Sequence, residues 1–125
     1  MTYNIKADPE SNSLLIVLNG LANEEDIRQI SVFLRREIIK LSFGFTIIND
    51  ISALKVLKKT EANSVADIQQ WLFQQGARRT IRVVGGVFAQ AQFRITQQEA
   101  GAQYDTSEVA TLEEAFLVLQ QYSMP

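Results

Sequence analysis

Three apolar, β-branched runs constrain this chain most: "LLIVLNG" (14–20), "FTIIND" (45–50) and "RTIRVVGG" (79–86). They read as strands, the first as one buried on both faces, since its apolar residues run on without alternating. The segments between them switch to a helical period. Ile27, Ile30, Leu34, Ile38 and Leu41 recur on one stripe, while Arg28, Arg35 and Arg36 fall away from it. Asn23 can cap this helix, and Glu24, Glu25 and Asp26 place carboxylates at the positive end of its dipole. Strands separated by amphipathic helices imply a parallel sheet with right-handed crossovers.

The remaining segments complete the order. "TYNIKAD" (2–8) is a short first strand that stops at Asp8-Pro9. The turn chemistry of "ESNS" then leads into a hairpin with the next strand. "ISALKVLKK" (51–59) reads as a loop with a helical turn. Thr60 or Asn63 can cap a second long helix, with Val65, Ala66, Leu72 and Phe73 inward and Gly76 as its stop. A third helix over 87–101 places Phe88, Ala91 and Ile95 on one face. "YDTSEVA" is a short edge segment. Thr111 and Glu114 form a capping box for a last helix that buries Leu112, Ala115, Phe116 and Leu119. The expected fold class is α/β, in the order β-β-α-β-α-β-α-β-α. Its sheet of four to five strands is mixed and mostly parallel, with an antiparallel N-terminal edge strand.

The chain of 125 residues suits a single domain spanning 1–125, and its 46% apolar content is that of a globular protein. The 12 basic and 14 acidic residues leave a net charge of −2, which gives no pointer to nucleic acid. There is no Cys and no His. Disulfides, thiolate chemistry, His-based triads and zinc sites therefore drop out of consideration. "MTYNIKADPE" is no signal peptide, and no apolar run reaches the roughly 20 residues that span a bilayer. A soluble, cytoplasmic protein with neither metal nor cofactor is expected.

"FTIINDISAL" (45–54), "GARRTIRVVGG" (76–86) and "VATLEEAFLVL" (109–119) together resemble the small SpoIIAA-like, or STAS-type, domains (sulfate transporter and anti-sigma factor antagonist). The resemblance covers most of the chain from "LLIVLNG" onward. It matches the family's Asp-ended strand at Asp50-Ile51-Ser52-Ala53-Leu54, its Gly-to-Gly strand at 76–85, and its final-helix opening at Thr111 to Ala115. It implies a STAS-like fold and a non-enzymatic role in protein contacts, in some members gated by phosphorylation. Phosphorylated members carry an Asp-Ser-Ser-Gly-like motif where this chain has "LKKTEANS", with Thr60 and Ser64 as the nearby hydroxyls. A related branch implies lipid carriage.

Candidate site residues gather at the strand ends, where open α/β sheets bind ligands. Asp50, with Asn49 and Ser52 beside it, could serve as a base or metal ligand. Alternatively, it accepts amides 52 and 53 in an Asx turn that stops the strand. Gly85 and Gly86 could admit a phosphate to helix amides or form a tight turn. They match neither GxGxxG nor a Walker motif. Lys55, Lys58, Lys59, Arg78, Arg79 and Arg82 make two basic clusters that read as a solvated surface, Arg78 and Arg79 also compensating a helix dipole. Trp71 and Phe33 are the candidate interface residues. The leading expectation is a non-catalytic regulatory or interaction module, paired with itself as a homodimer or with another protein. The alternative is a module for a small ligand or lipid, with a pocket near residues 50–60 and 85–93. An enzyme comes third.

Overall fold

Strand β1 (Thr2–Asp8) turns back into β2 (Ser13–Gly20), with Thr2 opposite Asn19 and Asp8 opposite Ser13 in an antiparallel pair. At the turn, Asn12 takes a left-handed φ of 50°, which asparagine tolerates. Its side chain also accepts from the Ser42 amide (2.8 Å) and donates to the Ser42 carbonyl (3.2 Å), pinning the hairpin to a distant loop. The computed structural model describes residues 1–85, 87–101 and 104–123, without the side chains of residues 88, 89, 99, 100 and 123.

Strands β3 (Thr46–Leu54), β4 (Arg79–Val83) and β5 (Asp105–Val109) add in parallel, giving the sheet order β1-β2-β3-β4-β5. The crossovers are α1 (Glu24–Ile38), α2 (Lys59–Gln74) and α3 (Val87–Ala100). Each step moves the same way along the sheet, so right-handed crossovers place all three helices on one face. Helix α4 (Leu112–Ser123) packs on the other face, against β3, β4 and β5.

Two cores result. Leu14, Ile16 and Ile47 meet Ile27, Ile30 and Leu34 of α1, together with Leu72 and Phe93, on the three-helix side. Ile48, Ile81 and Val83 meet Ala115 and Leu119 of α4 on the other. This is the mixed α/β sheet expected, with its antiparallel first strand. Alternation along β3 and β4 feeds both cores, which is why those strands read as apolar throughout.

Several local expectations are corrected. Strand β3 does not stop at Asp50 but continues through "ISAL" to Leu54. It does so across a bulge: Val17 pairs with Asp50 and Asn19 with Ala53, so Leu18 steps past both Ile51 and Ser52. Helix α2 begins at Lys59 behind Lys58, which makes no side-chain cap, so Thr60 and Asn63 lie inside the helix. On α3, Ala91 and Ile95 face solvent, Ile95 being 54% exposed, while Phe93 and Thr96 are buried. The Phe88 side chain lies outside the described residues. Phe116 of α4 is 43% exposed, and the buried stripe there runs through Leu112, Ala115 and Leu119.

Candidate ligand-binding site

Asp50 and Ser52 sit at the bulge. Asp50 Oδ1 accepts from the Ser52 amide (3.0 Å) and from its hydroxyl (2.7 Å). The Asx-type contact expected at residue 52 is there, but it bridges an interrupted ladder and does not end a strand. Gly85, following β4, lies against the same segment, where an added Cβ would collide with the Ser52 carbonyl oxygen. Asp50, Ser52 and Gly85 are thus brought together, and Gly86 lies outside the described residues.

Thr60 and Ser64 are bonded within α2. Thr60 donates to the Glu61 carboxylate (2.8 Å) and Ser64 to the Thr60 carbonyl (3.2 Å). Trp71 is half-buried beside the α1–α2 cleft, with the Arg35 guanidinium 5.9 Å from its ring centre. Phe33 is 40% exposed on α1, next to Tyr3. Arg78 behaves as a cap: its Nη1 donates to the Phe73 carbonyl (2.7 Å) at the negative end of α2 and to the Ala77 carbonyl (2.8 Å) in the turn that follows.

Arg82 is the largest departure from expectation. Grouped in the sequence with surface basic residues, it is 1% exposed, because its place in β4 turns it toward the three-helix core. There it lines a cavity of about 60 Å³ between the sheet, α1, α2 and α3. Most of the wall is apolar, from residues such as Leu18, Ile27, Ile30, Leu54 and Phe93. The polar lining comes from Asn49, Gln69, Thr80, Arg82, Gln97 and Tyr104. The pocket expected near residues 50–60 and 85–93 therefore contributes Leu54, Leu57 and Phe93, but the polar groups come from other stretches.

The hydrogen-bond accounting of this cavity is incomplete. Arg82 Nη2 donates to Gln97 Oε1 (2.8 Å), and Nη1 lies 3.7 Å from Glu108, a distance too long for a good hydrogen bond. Arg82 Nε, Asn49 Oδ1 and Gln69 Oε1 are buried without partners, and all three belong to residues of the cavity wall. Orphaned buried polar atoms each cost about 1–3 kcal/mol, so they call for an occupant.

Charge at this end of the cavity is also unbalanced. Glu108 is held chiefly by Arg94, whose Nε and Nη2 both donate to Oε1, and by Gln90 Nε2, which donates to Oε2 (3.2 Å). Two arginines share one carboxylate, leaving a net +1 across Arg82, Arg94 and Glu108. Burial lowers the pKa of Arg82, but a guanidinium stays charged at any physiological pH. Burial acts to raise Glu108, yet the bonds from Arg94 and Gln90 and the fields of Arg94 and Arg82 outweigh it and hold the carboxyl below its usual range. Burial pushes the Tyr104 phenol well above its usual value, and its hydroxyl donates to the Gln69 carbonyl (2.6 Å). The titratable side chains described in the cavity wall, Arg82 and Tyr104, are both poor proton carriers near neutrality. The wall offers a fixed positive charge and hydrogen bonds.

No protein-family model matches the chain, and no curated protein does. Among solved structures, it is similar to an uncharacterized DUF3478-family protein with a SpoIIAA-like fold from Shewanella loihica PV-4. The TM-score is 0.71 at 14% identity, over 94% of this chain and 92% of that one. The chain has the SpoIIAA-like fold. No helix among the described residues is long and apolar enough to cross a membrane.

Proposed function

We propose that this domain is a non-catalytic binding module that holds a small amphipathic molecule between its sheet and the α1–α3 layer. The observation that carries this reading is that three unpartnered buried polar atoms belong to residues of one mostly apolar cavity wall. A folded core gains nothing from such atoms, whereas a binding site uses a few polar groups in an apolar wall to fix orientation. Sites for drug-sized ligands enclose about 300–1,000 Å³. The 60 Å³ cavity therefore accepts only the head of a larger molecule unless its wall side chains move.

Native mass spectrometry of gently purified protein tests this reading. A retained small molecule, lost on denaturation, is the expected result. Bare protein, together with no thermal stabilisation by any member of a small-molecule panel, would refute it.

A second reading has its own support. Phe116 and Leu117 of α4 are exposed, and Phe116 lines an open groove between α4 and the β1–β2 hairpin. That apolar edge suits the regulatory, protein-contact role implied by the STAS resemblance, including self-pairing. Size-exclusion chromatography with light scattering distinguishes the cases: a dimer dispersed by Phe116→Asp supports this reading, and a monomer at all concentrations removes self-pairing.

A further inference from the structure

Resting on the ligand-binding reading, we infer that the ligand is a monoanion with an apolar body. Its head sits on Arg82, and its body passes Ile27, Leu34 and Ile68 into the cleft between α1 and α2.

The charge of the head follows from the incompletely paired guanidinium of buried Arg82, whose Nε is free and whose carboxylate neighbour, Glu108, is 3.7 Å away and shared with the exposed Arg94. A charge with incomplete pairing inside a protein is strongly disfavoured, and one anion neutralises it. A carboxylate would accept from Arg82 Nε. The amide groups of Asn49 and Gln69 would border it, each able to present NH₂ by turning over. A dianion would overshoot the balance. A free inorganic anion would leave the apolar wall without a partner.

The path of the body follows from what the two spaces share. Outside the cavity, an open cleft of about 520 Å³ runs between α1 and α2; beyond the shared aliphatic residues its apolar wall is Trp71, and Glu24, Arg28, Arg35 and Asp67 make its rim charged. Ile27, Leu34 and Ile68 line both the cleft and the cavity, so these side chains are the partition. Rotamer changes in aliphatic residues are faster and cheaper than unfolding a helix. Once they turn aside, the head space and the cleft become one site of a size suited to an organic molecule.

The experiment compares n-alkyl carboxylates of four to ten carbons with the primary alcohols of equal length, by calorimetric titration of the intact chain. Sodium phosphate is the inorganic control. The expected result is that each acid binds at least tenfold more tightly than its alcohol, which corresponds to about 1.4 kcal/mol. That preference falls to parity in Arg82→Gln and survives in Arg82→Lys. In Ile68→Trp, which narrows the partition, the long acids lose at least tenfold while the four-carbon acid is unchanged. Should Arg82→Gln fail to fold, the acid-to-alcohol ratio in the unaltered chain still decides the charge of the head. Alcohols binding as well as acids would overturn the anionic head and leave the binding reading standing. Equal effects of Ile68→Trp on short and long acids would overturn the path. Binding of neither series would overturn the alkyl monoanion while leaving the binding reading to native mass spectrometry and the small-molecule panel, and phosphate binding alone would remove the apolar body.

Discussion

Gly85→Ala tests whether the Asp50–Ser52–Gly85 cluster is a structural joint. Gly85 is not in a left-handed conformation, so alanine carries no backbone penalty there. The penalty is steric. The new Cβ would overlap the Ser52 carbonyl oxygen and lie 3.0 Å from Ser52 Cα and 3.1 Å from its carbonyl carbon. These are backbone atoms of the β3 bulge, and the Ser52 amide is tied to Asp50 at 3.0 Å, so no side chain can swing away. Overpacking typically costs about 1–3 kcal/mol, and a rigid backbone neighbour puts this site near 3 kcal/mol. For a domain of this size, that lowers Tm by about 10–15 °C. Gly44→Ala is the control: Gly44 has a φ of +86° with nothing within 4 Å of the new Cβ. It should lose only the left-handed penalty of about 1–2 kcal/mol. Urea unfolding measures both, with an unchanged m-value showing that the midpoint shift is a stability change. A Gly85→Ala loss below about 0.5 kcal/mol, the range of ordinary surface changes, would refute the close-packed joint.

Asp50→Asn keeps an acceptor oxygen for Ser52 and should lose less than about 1 kcal/mol, whereas Asp50→Ala frees both donors and should lose about 1–3 kcal/mol. Chemical denaturation resolves that difference, and loss of ligand retention in a fully stable Asp50→Asn would instead make Asp50 part of the site. The Glu108 carboxyl is depressed in the folded state, so the stability it adds is present above its unfolded value near 4.5 and disappears as the pH falls through the lower folded value. In Glu108→Gln, the acid limb of a stability–pH curve below about pH 4.5 should therefore be shallower than in the unaltered protein; parallel limbs would contradict the pairing with Arg94 and Arg82. Arg78→Ala removes one bond to the end of α2, one to the Ala77 carbonyl beyond it, and a guanidinium within reach of the Phe43 (4.5 Å) and Phe73 (4.1 Å) rings. A loss of about 2–3 kcal/mol is expected, with little rescue by lysine, whose compact ammonium cannot reproduce the planar guanidinium's contact with both rings; full rescue by Arg78→Lys, read from thermal melts, would reduce the role of Arg78 to charge.

The architecture was legible because local signals agreed with tertiary ones. The α1 stripe of Ile27, Ile30 and Leu34 is buried, and its start is fixed by reciprocal bonds between Asn23 and Asp26 (2.8 and 2.9 Å). At α4, Thr111 accepts from the Glu114 amide as expected, but the Glu114 carboxylate reaches the Ala110 amide instead of that of Thr111. Asp50 misled because an Asx contact usually punctuates a strand, and here a bulge absorbs it. The third helix misled because its inner face is partly polar. Gln92 clasps both the amide and the carbonyl of Leu57 at 2.8 Å, and Gln97 meets Arg82. Helical apolar spacing therefore pointed to Ile95 when the inward residues are Phe93 and Thr96. Arg82 was hidden by composition, one more base beside Arg78 and Arg79. The available clue was its position inside a strand whose neighbours Ile81 and Val83 face the opposite core, so alternation sends residue 82 inward.

The most direct test is a high-resolution crystal structure of protein purified without added ligand, read at the cavity beside Arg82. An elongated, non-water density is expected, its acidic end contacting Arg82 Nε and its remainder leading toward Ile68. A dry cavity, or one filled only by waters bridging Asn49, Gln69 and Arg82, would contradict it.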